Sequence, residues 1–259
     1  MKYQKRICCF IDILGFKKHI DETVNDNGEE NIKKIESIKH ILKLTKKITN
    51  DLGFSKSKVI TYFSDSIVIS YKYDEPSQLF YTILDLLYVS FELANKGYLT
   101  RGGVSVGKLV HTSKYIFGPA LVEAYDLESK KAKFPRIIVS EEVIKIGVTH
   151  RKDFHSEKDE SEYLMNILTL DDDGYYFIDY ITKASSEFDD LEYDLFYYIQ
   201  NIKKSFFTNY KNETLDVKEK LDWLKIKLNN HIKQIQENVK NPVFDSEIRD
   251  LYSSLKNLK

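Results

Sequence analysis

FIDILGF (residues 10–16) and YFSDSIVIS (residues 62–70) each set an aspartate at the end of an apolar run. In the first, residues 6–12 form a strand too apolar for a sheet edge; it is predicted to lie mid-sheet with Asp12 at its end. In the second, strands at residues 59–63 and 67–71 flank a hairpin turn that holds Asp65. Neighbouring central strands would bring the two aspartates to one sheet edge. Hard divalent cations take carboxylate oxygens together with substrate phosphates, and two shared carboxylates are the least that a two-metal site needs. Taken singly, each aspartate is as readily a turn former as a ligand.

Working outward, the hydrophobic period alternates between helix and strand. Residues 31–52 read as an amphipathic helix with Ile32, Ile35, Ile38, Ile41, Ile48 and Leu52 near one face, stopped by Gly53 and preceded by a polar loop at 21–30. Pro76 marks a second helix start, and an apolar helix over 78–95 closed by Gly97 turns Leu79, Ile83, Leu86, Leu87 and Leu93 to the sheet. A strand at 100–106, a helix from about 119 to 131 and a strand at 136–139 follow. This order predicts an α+β fold, a ferredoxin-like βαββαβ sandwich.

From residue 186 only helices are predicted, marked by Leu191, Leu195, Ile199, Ile202 and Phe206, by Val217, Leu221, Leu224, Leu228, Ile232 and Ile235, and, after a break at Asn241 and Pro242, by Ile248, Leu251, Leu255 and Leu258. The chain therefore divides into a principal domain at 1–185 and a C-terminal helical extension at 186–259, whose apolar stripes either wrap the first domain or join two chains.

Composition narrows the function classes. With 39 basic and 40 acidic residues intermixed and a net charge of -1, there is no basic stripe to track a nucleic-acid backbone. No apolar run is long enough for a membrane span or a signal peptide, so a cytoplasmic protein is expected. Cys8 and Cys9 are adjacent in a strand, point to opposite faces and cannot bridge each other. The six histidines show no zinc-ligand spacing, and His111, in what reads as an exposed turn, is a candidate phosphate contact or proton acceptor, although a lone loop histidine is more often neither.

A third run, RGGVSVGKLVHTSKYIFGPALVEAYDLES (residues 101–129), followed by PRIIVSEEV (135–143), completes an ordered series. A strand ending in Asp, a hairpin Asp, an Arg-x-Gly-x-x-x-Gly strand, a Gly-started helix and a strand ending in Val-Ser resemble the class III nucleotide cyclase catalytic domain over residues 5–140, with a weaker echo at 175–180. The resemblance implies a cyclase-type sandwich and a soluble homodimer with composite sites that uses two Mg2+ or Mn2+ ions on a nucleoside triphosphate. It implies that Asp12, Asp65 and the backbone carbonyl of Ile13 hold the ions, that the turn Leu14, Gly15, Phe16 offers N–H groups to phosphate, and that Arg101 contributes a catalytic cation, although a structural ion pair is an equal reading.

Departures from the family are as informative. Val122 and Asp126 stand where the family carries an Asn and an Arg, and DDDG stands where a late Lys is usual, leaving Lys130, Lys131, Arg136 and Arg101 as local cations. On the family's pattern Thr61 and Tyr115 occupy the base-reading positions and match neither purine code, which favours a pyrimidine nucleotide and a resemblance to bacterial anti-phage cyclases making cyclic CMP or cyclic UMP. The competing expectation is a catalytically degenerate module that binds a nucleotide or other ligand and signals through its C-terminal helices; a purely structural dimerisation domain is the third.

Overall fold

The computed structural model describes residues 2–51, 55–210 and 215–259, with the side chains of 51, 208–210 and 216 left aside. Strands β1 (Gln4–Ile13), β2 (Val59–Phe63), β3 (Ser66–Lys72) and β4 (Thr100–His111), with helices α1 (Phe16–Asp21), α2 (Ile32–Asp51) and α3 (Gln78–Asn95), make the first half. The second half holds β5 (Ile116–Phe117), α4 (Pro119–Asp126), β6 (Ile137–Val139), α5 (Glu141–Thr149), α6 (Glu157–Met165), β7 (Leu168–Leu170) and β8 (Tyr176–Ile178). Helices α7 (Leu191–Tyr210), α8 (Leu215–Asn238) and α9 (Ser246–Ser253) close the chain.

The sheet runs β2-β3-β1-β4-β6-β8-β7, with β5 paired to β4. Its first four strands are antiparallel in the predicted ferredoxin-like order, and β1 lies centrally because both its faces are apolar. Alternation sends Ile7, Cys9 and Ile11 into the large core beneath α3, and Cys8 into a smaller cluster with Val68, Ala120 and Ala124 beneath α4. Both cysteines are buried and free. The apolar stripes of α7, α8 and α9 join the same large core through Ile199, Ile202, Phe206, Leu224, Leu228 and Ile248.

α4 lies close on β4 because the strand is small where the helix crosses it. A Cβ on Gly103 would stand 2.5 Å from Leu127 Cβ and 2.6 Å from the Ala124 carbonyl, and Gly107 faces Ala120. Any side chain at 103 must push the helix off the sheet.

Boundaries differ from expectation in places with physical reasons. Strand β4 continues past 106 to His111, since its outer half pairs with β1 and then with β5. Part of the loop expected before α2 starts earlier as α1, and Ile32 is 60% exposed at the open end of α2, so it does not share the buried face of Ile38, Ile41 and Ile48. Leu52 and the stop at Gly53 lie outside the described residues. Pro76 falls ahead of α3, whose N-cap is Ser77. Leu191 is exposed in the first turn of α7. No helix among the described residues is long and apolar enough to cross a membrane.

Candidate functional site

Register brings the two aspartates together. Asp12 pairs with Ser66 on one side and Arg101 on the other, and Asp65 occupies the hairpin turn beside Ser66. The two carboxyl groups are near enough for the charge of Asp65 to act on Asp12. Ser66 Oγ donates to Asp12 Oδ1 at 3.4 Å, and Arg101 Nη2 stands 3.5 Å from Asp12 Oδ2. Burial, the negative charge of Asp65 and then that of Glu128 raise the Asp12 pKa to about 7, against the smaller opposing pull of Arg101.

Glu128 is the member that sequence reading missed. It is 3% exposed and ion-paired with Arg101. A signal was present: Ala120, Ala124 and Glu128 recur every four residues, so Glu128 falls on the helix face that packs against β4. Here α4 runs on into a π-helical turn, Leu127–Lys131, the kind of widening that often re-aims a functional side chain. Burial raises the Glu128 pKa, with Arg101 lowering it in part.

Arg101 is thus held between Glu128 and Asp12, and its Nε is buried with no hydrogen-bond partner. Two carboxylates on one guanidinium, with Asp65 beside the first, leave an excess of negative charge and one orphaned donor. That donor set fits hard divalent cations carrying an anionic ligand. No group of three or more His, Cys, Asp or Glu among the described residues is arranged to hold a metal unaided.

The turn after β1 fits the expected cradle in part. Leu14 N–H donates to the Leu99 carbonyl at 2.8 Å, so that donor is already committed. The same trans peptide points the Ile13 carbonyl the opposite way, toward the hairpin side where Asp65 sits. Gly15 caps α1 with φ at 78°, a conformation suited to glycine. α1 is a six-residue helix and Phe16 is buried in its first turn.

Other expected residues lie elsewhere. Thr61 and Tyr115 are removed from the aspartates: Thr61 Oγ1 contacts His111 Nε2 at 2.9 Å, and Tyr115 is 56% exposed in the β4–β5 turn. His111 is no exposed turn residue; it ends β4 and is 7% exposed. Burial and the charge of Arg6 push its pKa down to about 4, which makes it a poor proton acceptor at neutral pH. Val122 is exposed on α4, and Asp126 pairs with Lys130 at 2.8 Å.

Arg136 is likewise not a free cation. It is fully buried, ion-paired with Asp171 and Asp173, and lies over the Phe134 ring at 5.1 Å. The DDDG stretch that replaces the family lysine is therefore the acidic half of an internal pair.

No protein-family model matches the sequence, and no curated protein matches it. The structure is similar to that of a bacterial light-regulated adenylyl cyclase, at 18% identity and a TM-score of 0.40 over 56% of this chain and 80% of that one. It is similar to the monomeric guanylyl cyclase domain of the RhoGC fusion protein from the aquatic fungus Blastocladiella emersonii, at 11% identity and a TM-score of 0.43 over 69% and 96%. It is also similar to the adenylyl cyclase CyaB from P. aeruginosa, at 17% identity and a TM-score of 0.38 over 56% and 82%. A likeness of this grade describes shape, and function is read from the site.

Proposed function

We propose that the chain is a homodimeric nucleotide cyclase that converts CTP or UTP to the 3',5'-cyclic monophosphate and pyrophosphate. The observation that carries this reading is the meeting of the Asp12 and Asp65 carboxyls at one sheet edge, with the proton affinity of Asp12 raised. Like charges are costly there unless a cation joins them. Asp12, Asp65 and the Ile13 carbonyl would hold two Mg2+ or Mn2+ ions, which when bound supply the charge stabilisation that phosphoryl transfer needs. Arg101, about one-fifth exposed beside Asp12, is the cation nearest to where a phosphate would sit. Thr61 and Tyr115 leave neither purine-reading pair, which favours a pyrimidine base. On the same reading the product is a signal in anti-phage defence, as in the bacterial pyrimidine cyclases the chain resembles.

Dimerisation is supported by exposed apolar side chains on and around α4, namely Tyr115, Phe117, Val122 and Tyr125, with Phe63 at the end of β2. A head-to-tail pair sets the Thr61 and Tyr115 end of one chain against the aspartates of the other.

A second reading, a degenerate module that binds a nucleotide without turning it over, is favoured by Val122 and Asp126 and by Arg101 being tied to Glu128. Incubation with each of the four ribonucleoside triphosphates and manganese, with products identified by mass, separates the two. Asp12→Ala or Asp65→Ala should lower turnover at least about 100-fold without unfolding the protein. Binding without any cyclic product supports the module. Light scattering that finds a monomer at working concentration removes the composite site.

A further inference from the structure

The first turns of α3 are apolar apart from one stripe. Gln78, Thr82 and Asp85 recur on a single helix face and are all buried, and Gln78 and Asp85 line a cavity of about 700 Å³. Leu84, Pro76 and the Tyr81 ring supply its apolar lining, and Glu75, Lys56 and Lys152 its charges. The cavity is remote from the aspartate pair. Tyr71, which reaches Asp85 from β3, pairs with Ile7, whereas Asp12 pairs with Ser66 at the other end of that strand, about 17 Å away by strand rise.

Asp85 is 8% exposed, and its carboxyl is only half used. Oδ2 accepts from the Tyr71 hydroxyl at 2.6 Å; Oδ1 has no hydrogen-bond donor among the described residues and opens to the cavity. Gln78 is in the same position: one end of its amide is bonded to Thr82 Oγ1 at 3.2 Å, and the other has no partner among the described residues. A buried carboxylate with one donor is costly in an apolar setting. Burial raises the Asp85 pKa, and the bond from Tyr71 and the charge of Lys58 only partly offset it. A cation delivered to Oδ1 would remove the deficit. The lysines that line the cavity do not deliver it: Lys152 Nζ stands 2.5 Å from the Tyr81 hydroxyl, and Lys56 is exposed.

The surroundings select the kind of cation. Tyr71 holds one carboxylate oxygen, so a point donor such as a primary ammonium fits better than a flat guanidinium or amidinium, which pairs best with both. A bare divalent ion would find too few oxygens here to complete its shell. An aryl body suits Leu84 and the Tyr81 ring, and a cavity of this volume is of the size usual for small organic ligands. Gln78 lies about 10 Å from Asp85 along the helix axis, so a ligand that reaches it carries a polar group at its far end.

We propose that this cavity binds a small arylalkyl primary amine, with its ammonium on Asp85, its ring between Leu84 and Tyr81, and a polar group toward Gln78. The site does not depend on the cyclase reading, since it shares no residue with the aspartate pair.

The test is titration calorimetry with tyramine, with tyrosol, which has a hydroxyl in place of the ammonium, and with phenethylamine, which lacks the phenol hydroxyl. Tyramine is expected to bind with a Kd of about 1 mM or tighter, in keeping with its size. Tyrosol should bind at least about tenfold more weakly and phenethylamine about threefold more weakly. Asp85→Asn keeps an acceptor for Tyr71, and its affinity for tyramine should fall to that for tyrosol; Asp12→Asn should bind tyramine as the native protein does. Should Asp85→Asn fail to fold, the ratio of tyramine to tyrosol on the native protein decides alone. No tyramine binding at about 10 mM, tyrosol bound as tightly as tyramine, or tyramine affinity retained in Asp85→Asn overturns the site. Loss of tyramine binding in Asp12→Asn places the amine at the aspartate pair and overturns it as well.

Discussion

Two arginines stand on neighbouring parallel strands, Arg101 on β4 and Arg136 at the entry to β6, and both sit among carboxylates. The surroundings of Arg136 balance. Asp171 and Asp173 oppose Arg136 and Lys227, Trp223 Nε1 donates to Asp171 at 2.8 Å, and Lys227 does so at 2.8 Å. Burial pushes the Asp171 carboxyl up, but the bonds from Lys227 and Trp223 and the charge of Arg136 outweigh it and hold it below the usual range. The surroundings of Arg101 do not balance: Asp12 and Glu128 share one guanidinium, Asp65 adds a third carboxyl beside Asp12, and Asp12 is pushed up to about 7. A paired cluster has its charges met within the fold, whereas an unbalanced one is a candidate site for a ligand.

The two also differ in reach. The Arg136 cluster ties α8, through Trp223 and Lys227, to the strand that borders β4, and the Arg136 carbonyl accepts the Gly102 N–H at 3.1 Å. It locks the C-terminal helices to the sheet next to Arg101. The largest expected effect therefore belongs there. Arg136→Met takes the buried cation from Asp171, which keeps only Lys227 and Trp223, and should cost about 3–5 kcal/mol in urea unfolding, whereas Asp12→Asn should cost nothing. Equal losses at both places would erase the distinction.

Divalent ions should sharpen it. Magnesium or manganese at about 100 times its dissociation constant should stabilise the native protein by about 2.7 kcal/mol, seen as a higher Tm, and should leave Asp12→Asn and Asp65→Asn unmoved. Asp171→Asn, at the balanced cluster, should respond to the ion as the native protein does. An ion response that survives both aspartate changes places the ion elsewhere.

pH should act on the two clusters with opposite sign. Asp12 binds its proton more tightly folded than unfolded, so its contribution is present below about pH 4, the ordinary carboxylate value, and is lost as pH rises through about 7. Asp171 has its pKa lowered by folding, so its contribution is present above about pH 4 and is lost as pH falls through its depressed value. Unfolding free energy measured from pH 3 to 8 should accordingly lose its decline between 4 and 7 in Asp12→Asn, and lose part of its acid fall in Asp171→Asn.

The unbalanced cluster was largely legible in the chain, and the balanced one was not. Asp12 and Asp65 announce themselves because each ends an apolar strand, and the strand order follows from the alternation of periods. Glu128 was legible in principle, since the four-residue spacing from Ala120 and Ala124 turns it inward, but its polar and charged neighbours Ser129, Lys130 and Lys131 disguise it as solvent-facing helix. Nothing local marks the partners of Arg136. Asp171 lies 35 positions away, and Trp223 and Lys227 are 52 and 56 positions beyond that, so the pairing exists only once α8 has docked. His111 was misread for a similar reason: its partners Ser70 and Thr61 come from strands 41 and 50 positions earlier.

The smallest effect concerns how the unbalanced end is held. Ser64, the residue before Asp65, sits at φ 53°, a left-handed conformation that costs an L side chain about 1–2 kcal/mol. Replacing it with glycine relieves that strain but adds freedom to the unfolded chain, worth about 0.5–1 kcal/mol in the other direction. Ser64→Gly should therefore stabilise the protein by about 0.5 kcal/mol. If the strain serves only the turn, ion binding stays as it was. If a stiff serine turn is what keeps Asp65 against Asp12, the more stable variant should bind manganese more weakly, because the glycine lets the two carboxylates relax apart. A gain in stability together with a loss in ion affinity would mark this hairpin as a place where strain is retained for the site.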